Sequence, residues 1–295
     1  MSRKSRVLKN SKVLTVRLEC WDDAILLARR LFSHVFRGQG DERWVLSTTL
    51  ERVADRYEFP KDFLKNREDV ILNHFQRRGH HFINSPPPFD NRLEWLSILQ
   101  HHGGPTRLLD FTHSFYVAAF FAIEVATTDA AVWAVERMAS HSHIEWPWTS
   151  KETIIDRDRQ SREIAEKNIG NYEPIKLVMD VEPERLNMRM AAQQGLFLMP
   201  GDLDFSFMDN LLATYDCSKS EYEHQLNNVI PSGKFIAAVS EADGIETGIV
   251  KIVIPREFHN RGMRELIEMN IHSDSIFPDL DGFARSLSFF LRDAE

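Results

Sequence analysis

The segment Ser114–Ala126 carries Phe115, Tyr116, Val117, Phe120, Phe121 and Ile123. A helix here is apolar almost all round and has to be buried on most sides. Its uninterrupted apolar run, Phe115–Ile123, is nine residues, far short of the ~20 needed to span a bilayer. The segment therefore predicts a helix enclosed by a globular domain, with no membrane partner. Enclosing it takes a substantial core, and 295 residues of which 43% are apolar suffice. The same composition excludes disorder and a disulfide scaffold. The two cysteines, Cys20 and Cys217, read as reduced thiols, and the expectation is a soluble cytoplasmic protein.

The elements around this helix follow from pattern. Val13–Cys20 largely alternates, with Leu14, Val16 and Leu18 on one face, which predicts a strand. Trp21–Phe32 reads as a helix, its acids Asp22 and Asp23 early and Arg29 and Arg30 late, as the helix dipole favours. Ser33–Phe36 reads as a short strand running into an Arg37–Gly40 turn. Helices are expected at Thr49–Tyr57, Lys61–Arg78 and Asn91–His101, the last stopped by Gly103-Gly104-Pro105. Strands are expected at Asp129–Glu136, Ile175–Val181, Leu196–Met199, Lys234–Val239 and Ile249–Ile254, and closing helices at Arg256–Asn270 and Asp281–Leu291. Helices gather in the first half and strands in the second, without regular alternation. That predicts α+β: one domain, with a mixed, mostly antiparallel sheet packed by helices. It runs from residue 13 to 295, with a charged, exposed insertion near 139–172. Residues 1–12, with Arg3, Lys4, Arg6, Lys9 and Lys12, read as a basic, flexible tail.

Four stretches concentrate chemistry. In Phe36-Arg37-Gly38-Gln39-Gly40 the glycines let backbone approach a ligand, and Arg37 can grip a phosphate or carboxylate; an ordinary turn would read the same way. Gln100–Thr112 gathers Gln100, His101, Thr106, Arg107 and Asp110 in what reads as a turn between two apolar helices. A structural Arg107–Asp110 pair is the plainer alternative there. Gln193 and Gln194 precede Gly195, Leu196 and Phe197; amides read base or nicotinamide edges well, although Gly195 can equally be a helix cap. Asp279 and Asp281 suit the start of a last helix better than a metal. His141-Ser142-His143 has ligand-like spacing but no third donor nearby, and no zinc pattern exists.

Together these blocks resemble the FRG domain, a family named for its Phe-Arg-Gly triplet, here Phe36-Arg37-Gly38. The Gln100–Thr112 stretch is similar to the family's Gln-His-x-Gly-x-Pro-Thr-Arg-Leu-Leu-Asp segment, with Gly104 and Phe111 as mild departures. The Gln193–Phe197 and Ile276–Gly282 stretches resemble two later blocks, so the likeness spans roughly residues 30–290. It implies a bacterial, phage-defence or toxin setting.

We read the implied site as ADP-ribosyltransferase-like, with a sheet of the split kind and NAD as co-substrate. Arg37, Asp110, Gln193 and Gln194 are the expected catalytic residues. Gly38, Gln39, His101, Thr106, Arg107, Tyr116 and Phe197 are the expected nucleotide-binding residues, and no metal is expected. Glutamine stands where that chemistry wants a glutamate, so Asp110 or Glu124 has to supply the carboxylate. The alternative is a non-catalytic nucleotide- or nucleic-acid-binding domain. A metal-assisted nuclease would need Asp110, Asp279, Asp281 and His101 to meet. Expected partners are a nucleotide, an RNA, DNA or protein target, and a neutralising protein. A net charge of −8 with two placed arginines suits a small anion in a cleft better than a long polyanion across a surface.

Overall fold

Among the described residues, eight strands form one sheet: β1 (Val13–Arg17), β2 (His34–Gln39), β3 (Leu109–Thr112), β4 (Ala130–Glu136), β5 (Val178–Val181), β6 (Gly195–Pro200), β7 (Val229–Pro231) and β8 (Ile249–Ile254), in the order β5-β6-β3-β2-β4-β8-β1-β7. The computed structural model describes residues 12–137, 154–240 and 248–287. Strand β1 runs parallel to both β7 and β8, and the other five pairings are antiparallel. The class is α+β with a mixed, mostly antiparallel sheet.

Side-chain alternation gives the sheet two apolar faces. Phe36 of β2, Val132 and Ala134 of β4, and Val250 and Ile252 of β8 point to one face. Val35, Trp133, Val135 and Ile249 point to the other. The first face is covered by α1 (Asp22–Arg30) and α5 (Phe115–Ile123), with Phe235 of α10 (Ser232–Ser240) and Met263 and Leu266 of α11 (His259–Glu268). The second is covered by Phe207 and Leu211 of α8 (Phe207–Thr214) and Tyr222 of α9 (Lys219–Asn227). A further cluster joins α3 (Leu64–Gly79), α4 (Arg92–His101) and α6 (Ile154–Asn171) to the β5–β6 end of the sheet. Helix α2 (Thr49–Arg56) begins with a capping box between Thr48 and Glu51. The short helices α7 (Met188–Ala192), α12 (Ser273–Ile276) and α13 (Leu280–Ser286) complete the chain.

Helix α5 is buried as its composition requires, with seven of its nine residues in the core. It lies on β2: Phe36 and Phe115 meet edge to face at 5.7 Å. One turn on, a Cβ at Gly38 would sit 2.0 Å from the Ala118 carbonyl oxygen and 2.6 Å from the Ala122 nitrogen. No side chain fits there, so helix and strand pack backbone to backbone.

The structure departs from the sequence expectation in five places. Strand β2 extends through Arg37 and Gly38, where a turn was expected. Leu109–Thr112 is a strand inside the stretch read as a turn. Lys234–Val239 is helical within α10, because a short apolar run cannot separate helix from buried strand and Ala237 and Ala238 favour helix. Among the described residues, the strands are also divided equally between the two halves of the chain, β1–β4 in the first and β5–β8 in the second. The described part of the charged segment, α6, is built into the core through the fully buried Ala165 and Ile169. The basic tail through residue 11 lies outside the described residues.

Gly38→Ala should therefore cost about 3 kcal/mol of stability from overpacking, read as a lower urea midpoint at unchanged slope. Gly40→Ala is the control, since the nearest atom to its Cβ would be 3.8 Å away. Equal midpoints for the two variants would show that α5 does not press on β2 in this way.

Candidate functional site

The sheet opens between β2 and β3. These strands share one registered pair, Phe36 with Thr112, whereas β2 pairs with β4 over His34–Gln39 and β3 with β6 over Leu109–Thr112. Past Phe36 the two strands part. A cleft of about 1040 Å³ is lined by residues 36–40 on the β2 side and 110–112 on the β3 side. That is the upper end of the range for small-molecule sites.

Arg37 spans the opening. Its Nη1 donates to the Asp110 backbone carbonyl at 2.6 Å, standing in for a ladder bond the strands no longer make. The same nitrogen lies 3.9 Å from the Asp110 carboxylate. Its Nε is buried without a partner among the described residues, a costly state for a charged donor. Burial pulls the guanidinium below its ordinary range; Asp110 opposes this and Arg52 adds to it. Arg37 nonetheless stays cationic at physiological pH.

Asp110 is steadied from a second side. Gln100 Nε2 donates to its Oδ2 at 2.8 Å, and Gln100 Oε1 accepts from Thr106 Oγ1 at 2.6 Å. Thr106 is fully buried and also accepts from the Leu108 nitrogen. The Asp110 carboxylate itself is 59% exposed, so it faces the opening.

The outer wall comes from α7 and the segment after it. Asn187 caps α7 by accepting from the Met190 nitrogen at 2.8 Å. This sets Arg189, whose guanidinium stacks 4.4 Å above the Phe277 ring. The Gln193 carbonyl accepts from Thr112 Oγ1 at 2.7 Å, and its amide Nε2 donates to the Ile276 carbonyl at 3.4 Å. These two bonds join the third sequence block to the second and to the fourth. His101 sits on the rim, its pKa pushed down by burial and then by His102 and Arg189. It is therefore a neutral imidazole at neutral pH.

At the opposite lip, Gln39 donates to the Val45 carbonyl at 3.2 Å and accepts from Trp133 Nε1 at 2.8 Å. Its nitrogen holds the 40–47 loop, and its oxygen is anchored on Trp133 of β4. Within that loop Arg43 grips Asp41 through its backbone and side chain, drawing the Asp41 carboxyl down to about 2.

Of the residues expected from sequence, the cleft brings together Arg37, Gly38, Gln39, His101, Asp110, Gln193 and Phe197. It does not bring in the other four. Arg107 is fully buried: its Nε reaches both Glu68 oxygens at 2.8 Å, its Nη2 also bonds Glu68, and its Nη1 donates to Asn168 at 3.0 Å. It ties α3 to α6 instead of meeting a ligand, and its partner is Glu68, not Asp110. Thr106 acts on the cleft only through Gln100. Tyr116 packs against the core around α5. Gln194 is exposed and has the positive φ, 48°, that turns α7 into β6. It does the job expected of Gly195, and Asn and Gly would take that conformation more easily. Asp279 caps α13, accepting from the Gly282 nitrogen at 2.8 Å. Sequence reasoning left Gln100, Arg189, Arg52 and Trp44 out of the site. Gln100 opens the Gln100–Thr112 stretch and Arg189 stands four positions before Gln193, but nothing local marks Arg52 or Trp44. No group of three or more His, Cys, Asp or Glu among the described residues is arranged to hold a metal, and His141 and His143 lie outside those residues.

Arg107→Leu should cost about 3–5 kcal/mol by leaving the Glu68 carboxylate buried and alone. The double variant Glu68→Leu/Arg107→Leu should recover much of that loss in the same urea titration. Additive losses would show that the two side chains do not form a pair.

Residues 33–131 match the family model of the FRG domain. No curated protein and no solved structure matches the chain, and no helix among the described residues is long and apolar enough to cross a membrane. The matched span runs from β2 through α5 into β4. It holds both sides of the opening, Phe36-Arg37-Gly38 and Gln100–Thr112, while the Gln193 and Phe277 wall lies beyond it. With the triplet on one strand of the split and the Gln100–Asp110 stretch on the other, this chain carries an FRG domain.

Proposed function

We propose that the cleft binds a pyridine dinucleotide, NAD, and transfers its ADP-ribose to an acceptor, as a cytoplasmic toxin or phage-defence effector. The observation that carries this reading is Arg37: a cationic fork at the split, with a buried Nε lacking a partner among the described residues. A diphosphate oxygen is the acceptor such a fork suits. The volume suits a dinucleotide, and the amides of Gln100 and Gln193 suit the edges of a base or a carboxamide.

Asp110 supplies the carboxylate this chemistry needs. Its exposed oxygens oppose the positive charge that develops on the ribose as the bond from C1′ to the nicotinamide nitrogen breaks. The bonding electron pair leaves with neutral nicotinamide. The acceptor's lone pair forms the new bond to C1′, and its proton passes to Asp110. Gln100 and Arg37 keep that carboxylate in place. Neutral His101 and the Arg189 wall flank it.

Purified protein should release nicotinamide from NAD. Arg37→Ala should lower kcat/KM by about 10²-fold, the usual cost of losing one preorganised donor. Asp110→Asn should lower kcat with little change in KM, because the amide keeps the shape and loses the charge. No release by the wild type, or equal release by Arg37→Ala, would overturn the assignment.

One observation favours a non-catalytic alternative. The carboxylates lining the cleft are Asp41, Asp55 and Asp110, with no glutamate among them, and Arg37 already draws on Asp110. A nucleotide-binding domain without turnover would bind NAD calorimetrically and release no nicotinamide.

A further inference from the structure

The mouth of the cleft carries a charge opposite to that of the chain. Its lining has four arginines against three aspartates. Asp41 is neutralised by Arg43 at 2.5 Å and Asp55 lies 3.8 Å from Lys61. Arg37, Arg52 and Arg189 are left against Asp110 within the lining, with Asp279 beside Arg189 just outside it. In a protein of net charge −8 this is a localised attraction for an anion.

Two features of the mouth go beyond what a dinucleotide in the cleft requires. The first is the pair of guanidiniums on Phe277. Arg189 stacks at 4.4 Å and Arg285 at 5.0 Å from the same ring, which is 5% exposed and braced edge to face by Phe121. Neither guanidinium has an ion pair or hydrogen bond among the described residues. Stacking holds both forks planar while leaving their N–H groups open. Two like charges on one ring repel, and an anion between them removes that repulsion. Arg189 lines the cleft and Arg285 is on the surface, so the pair leads from the cleft outward.

The second feature is Trp44, 57% exposed on the opposite lip. It makes no ring or cation contact among the described residues. It is nevertheless presented rigidly, because Gln39 and the Asp41–Arg43 pair fix its loop. An exposed indole on a braced loop, lining the same cleft as the open guanidinium of Arg189, is the combination that stacks a base and holds its phosphate.

We infer that the acceptor entering this cleft is a single-stranded nucleic acid, with a base stacked on Trp44 and a phosphate held by Arg189 and Arg285. The inference rests on the transferase reading for what happens next, and binding can be tested without it. The carboxylates of a protein acceptor would pair with the guanidiniums but give no base to stack on Trp44. A duplex offers no unstacked base to the indole.

The test is fluorescence anisotropy with a labelled single strand of about 12 nucleotides, a length suited to one such groove. The same sequence as duplex is the competitor. The single strand should bind more tightly than the duplex. Trp44→Ala should weaken binding about tenfold, the usual worth of one stacked base. Arg285→Ala should reduce the slope of log affinity against log salt by about 0.7, one phosphate contact on a single strand. Both residues are exposed, so the variants should melt like the wild type. No binding of the strand, a preference for duplex, or unchanged affinity and slope in both variants would overturn the inference. Nicotinamide release without any acceptor, measured in parallel on the wild type, separates that failure from failure of the NAD assignment.

Discussion

Strand β2 is where the helical layer and the cleft meet, and its geometry depends on Gly38 having no side chain. The Ala118 carbonyl of α5 lies where a Cβ would be. That contact lets an almost wholly apolar helix lie flat on the strand and bury seven of its residues. Because side chains alternate along a strand, committing Phe36 and Gly38 to the helix commits Arg37 and Gln39 to the other side. Arg37 then meets Asp110 across the opening, and Gln39 anchors the loop that forms the lip. The tight packing on one face and the open chemistry on the other follow from the same four consecutive residues.

The opening has a physical cost that the surrounding bonds offset. Strands that part leave backbone groups unpaired. Arg37 satisfies the Asp110 carbonyl, Thr112 satisfies the Gln193 carbonyl, and Gln39 satisfies the Val45 carbonyl. Each bond comes from a side chain that also lines the cleft. The site is thus held open by polar side chains, of which Arg37 keeps an Nε without a partner among the described residues. Arg107 makes the opposite use of the same side-chain type. With every terminal nitrogen committed to Glu68 or Asn168 in a fully buried setting, it has nothing left to offer, and it specifies how α3 and α6 dock.

Much of the fold was readable from residue order. The buried character of α5, the strands at Val13 and Ile249, and the charge-biased ends of α1 are local consequences of hydrophobic period and helix polarity. The blocks around Arg37, Gln100 and Gln193 were also readable as polar groups beside glycines. What local pattern misread were segments with mixed signals. Gly38 and Gly40 disguised a central strand as a turn, and Leu109–Thr112 was too short to stand out from a polar stretch. Lys234–Val239 had the composition of either element.

Which of these polar groups share a site was decided by contacts between residues far apart in the chain. Arg37 and Asp110 are separated by 73 positions, Thr112 and Gln193 by 81, and Gln193 and Ile276 by 83. No periodicity spans such distances; strand pairing and burial set them. Arg37 and Arg107 stand in equally polar, glycine-bearing contexts, and residue order does not rank them. The tertiary structure does, because Glu68 waits in the core 39 positions before Arg107, while Arg37 falls where β2 and β3 separate. Local order thus determined the buried helix, several strands and the stock of chemical groups. Long-range pairing chose which arginine became part of the scaffold and which was left facing the cleft.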